Sequence, residues 1–393
     1  MSTRSQPSIF PGHPVLEIAS TAAGSHAGRL LAEAGFPVLR VEVGNDHALQ
    51  RIPPLAPDGN SVAYLSANAK KSVVQVSPAG ARALVARLVA ASAVFITDRP
   101  EWHSLRAAGT TCHIHPYDGL VEGLCELPTA DSIVQAASGA VSVTGHLTGP
   151  PVSIGFPIGD VAPGMFATIG ILNGLLENEP QHISVRALDA TVSLLCYMGC
   201  SFMIDGDDVG FIGSGHPYIV PYGAYKAKDG YVIVGAFTQV FWRKLCLMLE
   251  RADLVENPRF RNFAMRRDNR DELNQIFADL FGESTVADWV SRLKQGDVPH
   301  APVFTMRQAI DQPAVAARDM IVRVNGLALF NSPIVTLAAP DQPGTRPVVS
   351  PDWHARLIAL GVDAAEIAGF VASGALLPLL TPAARNGTNN AAA

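Results

Sequence analysis

The chain has 393 residues, 48% hydrophobic and 16% charged, with a net charge of −6. That is enough apolar sequence for a large core divided between two domains, and it lacks the basic field that a nucleic-acid partner requires. No apolar run reaches the ~18 residues of a membrane helix and Met1 to Gly12 lacks the order of a secretory signal, so a cytoplasmic enzyme-sized protein without a membrane partner is expected.

The elements begin with Val15-Leu-Glu-Ile-Ala19 as a strand, His26 to Ala34 as a helix and Pro37 to Val43 as a second strand. Gly35 stands where a left-handed helix cap is wanted, which makes a β-α-β unit. Ser72 to Val76, a helix opened by Ser77-Pro78 and carrying Leu84, Val85, Leu88 and Val89, and Ala93 to Thr97 repeat the pattern. Strands alternating with helices predict an α/β fold, a Rossmann-like large domain with a mostly parallel sheet covered on both faces.

Texture changes near position 205, where Asp205 to Gly215 is rich in glycine. Beyond it Asp229-Gly230 reads as a two-residue hairpin turn between strand-like runs. Helices are expected over 240–250, 271–281 and 285–294. The expected division is a large domain from 1–205 and 321–380, a small α+β domain over 206–320, and a tail, 381–393, too poor in apolar residues to pack.

Five cysteines (Cys112, Cys125, Cys196, Cys200, Cys246) without a C-x-x-C spacing argue against a disulfide framework and against zinc. Cys196 and Cys200 share a helix face in an apolar run, which predicts core packing. His113 and His115 alternate on one strand like a metal pair, but no third ligand is near in sequence, so they read as structural histidines and no metal is expected.

Three stretches carry candidate chemistry. Ser20 to Gly28, between the first strand and helix, has small residues that would let phosphates approach backbone N–H groups. Its G-x-x-x-G spacing is not the dinucleotide fingerprint, although Glu42 sits where a ribose-binding acid would, which keeps an NAD-dependent reading open. In the second stretch, Gly155-Phe-Pro-Ile-Gly-Asp160-Val-Ala-Pro-Gly164, Asp160 stands at the start of an almost wholly apolar helix, Met165 to Leu176, that must be buried, with Pro163 in its first turn. Spacing alone reads Asp160 as an N-cap. Its glycine neighbours and the lack of nearby cations also suit a nucleophile held ionised by helix-end N–H groups. The third, Gly213-Ser-Gly-His-Pro217 with Val220-Pro-Tyr-Gly223, is either a glycine loop that folds over a reacting group or a bare turn. His216 alone supports no acid-base role.

Taken in order, Val15 to Ile18 with Ala23-Gly24 and Leu30 to Glu42, Asn68-Ala-Lys-Lys-Ser72, Gln135 to Gly139, Pro157 to Asp160 with Gly164, His216-Pro217, Lys228-Asp-Gly230, Asn257 to Phe260 and Val298 to Val303 resemble the class III CoA-transferases. That family also contains α-methylacyl-CoA racemase. The resemblance covers about 14–370 and implies an interlocked, ring-like homodimer acting on acyl-CoA and a small carboxylic acid, with coenzyme A as substrate and no metal. It implies that Asp160 attacks a donor thioester to give an anhydride and then an aspartyl-CoA thioester. It also implies CoA contacts at Ala22, Ala23, Lys70, Lys71, Asp98, Arg99 and Arg106, and an acyl site formed by Asp131, Gln135 and the loop Gly213, Ser214, Gly215 and His216.

The departures narrow this reading. A racemase would carry His at position 130 and an acid at 238, where this chain has Ala130 and Thr238. Asp98-Arg99 and Glu101 replace the usual Asn-Phe and Gly near CoA, Ala22 stands in place of a glutamine, the segment Tyr117 to Thr129 is short, and Ala130 in place of a tyrosine suggests a roomier or more apolar acyl site than one built for oxalate. A non-catalytic subunit of a heteromeric transferase is the rival, against which the intact Asp160 argues.

Overall fold

A computed structural model describes residues 12–44, 48–57, 59–79, 81–115, 130–177, 179–206, 210–324, 327–335 and 352–378. The expected tail, the segment Tyr117 to Thr129 and Cys125 lie outside them. The described residues fall into two compact units, one drawn from Met1–Ala140, Ile154–Leu195 and Ala316–Ala393, the other from Val141–Ser153 and Cys196–Val315. The boundaries expected near 205 and 320 thus stand near 195 and 315, and the stretch 141–153 joins the second unit.

The first unit is built on β1 (Val15–Ile18), α1 (Ala22–Glu33), β2 (Val38–Val43), α2 (Val62–Asn68), β3 (Ser72–Val76), α3 (Ala81–Ala91), β4 (Val94–Thr97), β5 (Thr110–His115), α4 (Asp131–Ala137), α5 (Ile158–Gly174), β6 (His182–Arg186) and α6 (Ala187–Ser193). Among the described residues of the second unit are α7 (Cys196–Asp205), β7 (Tyr222–Ala227), β8 (Gly230–Gly235), α8 (Gln239–Met248), α9 (Ala252–Glu256), α10 (Phe263–Asp268), α11 (Arg270–Phe281), α12 (Val286–Gln295), β9 (His300–Pro302) and α13 (Met306–Ile310). After α14 (Pro313–Ala317) come β10 (Ile321–Val324), β11 (Leu327–Phe330), α15 (Trp353–Ala359), α16 (Ala364–Ala372) and β12 (Leu376–Pro378).

The large sheet runs β12-β3-β2-β1-β4-β5-β6. Only β12, paired with β3, is antiparallel, and sequence reading gave no strand there. From β3 to β6 this is the doubly wound order, which reverses between β1 and β4 and opens a crevice at the strands' carboxyl ends there. One face carries Leu16, Leu39, Val74 and Phe95 against Leu84, Leu88, Leu357 and Ile367. The other carries Val15, Val38, Ile96, Cys112 and Ile114 against Ala27, Leu31, Ala167 and Ile171 of α1 and α5. Alternation of side chains along each strand makes both faces possible from one run of apolar residues.

Helix α1 starts at Ala22, four residues before the expected His26, because Thr21 caps it by accepting from the Gly24 N–H at 3.2 Å. Gly35 takes the expected left-handed conformation with φ of 98°. Beneath α1 lies a buried ion network: Arg40 pairs with Glu17 and Glu42, and Lys71 with Glu17. A Cβ on Gly28 would overlap the Glu17 carboxylate, so this position has to stay bare.

In the second unit β7 pairs with β8 and β8 with β9, all antiparallel. The register Ala227↔Gly230 leaves Lys228-Asp229 as the two-residue loop, one position before the expected pair. Trp242, Leu245, Phe277, Phe281, Trp289 and Leu293 form its core. Fully buried Arg266 stacks over Trp242 at 4.8 Å and donates to the carbonyls of Val220 and Phe260, which offsets its burial.

Candidate active site

Asp160 is the third residue of α5, and the N-cap is Pro157, which offers no side-chain cap. The N-cap reading of Asp160 therefore fails. So does the expectation that helix-end N–H groups hold its carboxylate. The Gly159 N–H goes to Asp131 Oδ1 at 2.8 Å, and the N–H groups of Asp160 and Val161 both return to the Pro157 carbonyl. No hydrogen bond reaches the Asp160 carboxylate among the described residues. Burial, then the charge of Asp131, raises its pKa from 3.8 to about 6.

Asp131 opens α4 and is braced from two sides. Besides the Gly159 N–H it accepts from Gln135 Nε2 at 2.7 Å, while Gln135 Oε1 accepts from the Ile154 N–H at 2.8 Å. Gln135 is fully buried, so it acts as a brace behind the site, not as the substrate contact expected of it. Gly159 is bare for a reason: its Cβ would lie 2.9 Å from the Asp131 carbonyl oxygen.

Helices α1 and α5 approach closely. A Cβ on Gly164 would fall 2.8 Å from the Ala23 carbonyl oxygen and 2.9 Å from His26, whose pKa burial lowers to about 4. One turn on, Thr168 packs against the Ala27 carbonyl. The two contacts advance together along both helices, so Asp160, a turn before Gly164, comes level with the turn that leads from β1 into α1. Pro163 lies inside α5, not in its first turn.

The residues expected to touch CoA divide. Ala22 and Ala23 occupy the first turn of α1, whose N–H groups have no partner inside the helix. Asp98, just past β4, accepts from the Ser20 and Thr21 N–H groups at 2.8 and 2.7 Å and from both hydroxyls, so its oxygens hold the start of α1. Arg99 pairs with Glu101, and Arg106 donates to the His103 and Leu105 carbonyls. Lys70 remains partly accessible, with Glu33 and Asn331 as partners. Lys71 is 1% exposed and bonded to Ser25 O, Asn68 Oδ1 and Glu17, so its ammonium is spent inside the protein and cannot meet a phosphate. Glu42 is equally buried, held by Arg40, Tyr64 and Gln50, which removes it as a ribose acid.

In the second unit Gly213 has φ of 65°, Ser214 Oγ accepts from the Ala224 N–H, and a Cβ on Gly223 would stand 3.1 Å from the Ser214 carbonyl. Ser214, Gly215, His216 and Arg270 help line a cavity of about 310 Å³. His216 is stacked between Tyr197 and Tyr222. Its Nδ1 accepts from the N–H groups of Tyr218 and Ile219, so Nε2 carries the proton and donates to the Tyr197 hydroxyl at 3.0 Å. Burial and Arg270 lower its pKa, and it is a neutral brace.

Two packing expectations are overturned. Helix α5 buries Ala162, Ala167, Thr168 and Ile171 but leaves Met165, Phe166, Ile169 and Leu172 exposed, because a nearly all-apolar helix has two apolar faces and this unit covers one. Helix α7 buries no residue, and Cys196 and Cys200 are exposed. Sequence reading also missed a histidine cluster: His103, ten residues before His113, joins His113 and His115, and its signal was obscured by the intervening turn. Among the described residues no single helix is long and apolar enough to cross a membrane.

The sequence profile of CoA-transferase family III matches residues 11–351. The human succinyl-CoA:glutarate CoA-transferase is 27% identical over 335 residues, 80% of this chain and 76% of the relative. The succinyl-CoA:mesaconate CoA-transferase of Haloarcula hispanica is 26% identical over 378 residues, 88% of this chain and 94% of the relative. A CaiB/BaiF family protein from Brucella suis, 23% identical, superposes with a TM-score of 0.75 over 91% of this chain and all of its own, which is a likeness of fold.

Proposed function

The chain belongs to CoA-transferase family III, and we propose that it moves coenzyme A from an acyl-CoA donor to a small carboxylic acid through covalent intermediates on Asp160. The observation that carries this is the Asp160 carboxylate itself, unengaged by hydrogen bonds among the described residues and more basic than an ordinary carboxylate, yet ionised at neutral pH.

An Asp160 oxygen attacks the thioester carbonyl, a C–O bond forms as the C–S bond breaks, and CoA leaves as a thiolate while the donor acyl group stays on Asp160 as a mixed anhydride. The thiolate attacks Cγ of Asp160, releasing the donor acid as a carboxylate and leaving an aspartyl-CoA thioester. The acceptor carboxylate then attacks that Cγ and expels the thiolate. Thiolate attack on the acceptor's acyl carbon yields the new acyl-CoA and restores Asp160. Splitting the exchange this way keeps the thiolate close while the acids change places.

Ala22 and Ala23 keep the CoA-binding role, since their first-turn N–H groups suit a developing oxyanion or a phosphate. Lys70, Arg99 and Arg106 remain the proposed cationic contacts, and the covering role of Gly213 to Gly215 rests on the family resemblance. Ala130 and Thr238 supply no titrating group, and Thr238 caps α8 through the Phe241 N–H, which favours transfer over racemisation. The relatives' names make succinyl-CoA the first donor to test, with a small dicarboxylate other than oxalate as acceptor. The uncovered apolar faces of α5 and, separately, of α7, with Tyr197, Phe202, Met203 and Ile204 exposed, support a second copy of the chain as partner.

The test is to incubate the protein with succinyl-CoA or acetyl-CoA, add hydroxylamine, and look for the hydroxamate at Asp160 by peptide mass spectrometry. Absence of the mark with both donors, together with an active Asp160→Asn variant, would sink the mechanism.

A further inference from the structure

Three histidines that the transfer chemistry leaves unused meet in the first unit. Cys112 and Ile114 of β5 point to the α1 and α5 side, so alternation puts Thr111, His113 and His115 on the opposite face, where Trp102 also packs. The turn Pro100–Trp102 delivers His103 onto the same face. One donor nitrogen from each of His103, His113 and His115 lies within 4.8 Å of the others. The His103 and His113 rings stack at 4.3 Å, and His115 stands edge-on to His103 at 4.8 Å.

Two of the nitrogens are poor in partners. His113 is 97% buried, yet its Nε2, like Nε2 of His103, has no hydrogen-bond partner among the described residues. A buried polar atom left that way is costly, which points to a ligand that completes it. The other nitrogen of His113, Nδ1, meets His182 Nε2 at 3.0 Å across the β5–β6 pair. If Nδ1 carries the proton and donates to His182, Nε2 of His113 keeps the lone pair with which an imidazole ligates. Orientation of a ligating imidazole by a partner on its far nitrogen is the usual arrangement at metal centres.

We propose that His103, His113 and His115 form a site for a borderline divalent cation, with His182 as the residue that positions His113. Neutral imidazoles without a carboxylate or thiolate suit zinc, nickel or copper, and three such ligands leave a fourth position for water. Tetrahedral bonds of about 2.0–2.1 Å set donors roughly 3.4 Å apart, so closing the triangle takes side-chain shifts of about an ångström. An anion is the competing occupant and would need imidazolium rings. The bound ion would tie the loop after β4, which carries Asp98, Arg99 and Arg106, to β5.

Tag-free full-length protein, stripped by chelator, is titrated with zinc by calorimetry and with cobalt in the visible region, phosphate serving as the anion control. The expected result is one tight equivalent of zinc and the d–d bands of tetrahedral cobalt. His103→Ala and His115→Ala should each weaken binding at least tenfold while melting as the stripped parent does. His182→Leu should weaken it about 10–100-fold, and His182→Gln, which keeps an acceptor for His113, should restore most of the loss. Absence of zinc binding overturns the proposal. So does unchanged zinc affinity in the His103→Ala/His115→Ala double variant, or stoichiometric binding of phosphate in place of the metal that the double variant abolishes.

Discussion

Asp131 and Asp160 are linked through one peptide unit: the Gly159 N–H, which belongs to the residue preceding Asp160, is donated to Asp131 Oδ1 at 2.8 Å. The helix start thus holds Asp131 as a fixed charge and leaves Asp160 unheld. The charge of Asp131 adds to burial in raising the Asp160 pKa to about 6. An acid whose pKa is raised is protonated as the pH falls through that value, so the rate of CoA transfer should decline below about pH 6. Asp131→Asn should move this limb to lower pH, because the repelling charge is gone while burial stays. An unchanged limb in the pH dependence of kcat/KM would show that Asp131 does not act on Asp160.

Asp160→Asn should cut turnover by at least ~10³-fold, as loss of a nucleophile does. The same change should stabilise the fold at neutral pH. A carboxyl raised from 3.8 to about 6 favours folding when protonated, and that contribution is present below pH 4 and lost above 6. After allowing for partial solvent screening the amide should gain about 1–2 kcal/mol at pH 7.5. Thermal melts at pH 7.5 and pH 4 check this: the variant should melt higher than the parent at the first and lose that advantage at the second.

Gln135→Ala removes a fully buried amide that serves Asp131 and the Ile154 N–H together. Two half-buried groups lose a partner, at a cost of about 1–3 kcal/mol. Denaturant unfolding should show that loss, and the pH limb assigned to Asp160 should shift as Asp131 loosens. A variant as stable as the parent would mean that Gln135 is no brace.

The adjacent lysines should separate. Lys71→Met leaves Glu17 with Arg40 as its remaining cation in a buried site and should cost roughly 3 kcal/mol or more. Lys70→Ala loses a partly exposed pair with Glu33, worth about 1 kcal/mol or less, and should instead raise the KM for acyl-CoA. Melting temperatures and acyl-CoA saturation curves for both variants decide it. The reverse assignment would move the phosphate contact to Lys71.

Ile169→Asp places a charge on the uncovered face of α5 without touching the face that packs on α1. If a second copy covers this face, light scattering should give a dimer for the parent and a monomer for the variant. A monomeric parent would remove the homodimer.

The alternation of apolar strands and amphipathic helices made the doubly wound sheet legible in advance, because burial on both faces leaves a period that any local window reveals. Asp160 was equally legible as a carboxylate between glycines at a helix start. Its pKa was not, since that depends first on burial by residues distant in sequence and then on the charge of Asp131, 29 positions earlier.

Sequence by itself therefore determined the family, the parallel sheet and the carboxylate that most merits the role of nucleophile. Tertiary structure alone decided that Lys71 and Glu42 are spent in a buried ion network, that Gln135 braces Asp131, that α5 and α7 keep uncovered apolar faces, and that His103 meets His113 and His115. Residue type and spacing state what a side chain can do. Burial and the competition of neighbours for each donor and acceptor, set by contacts distant in sequence, decide what it does.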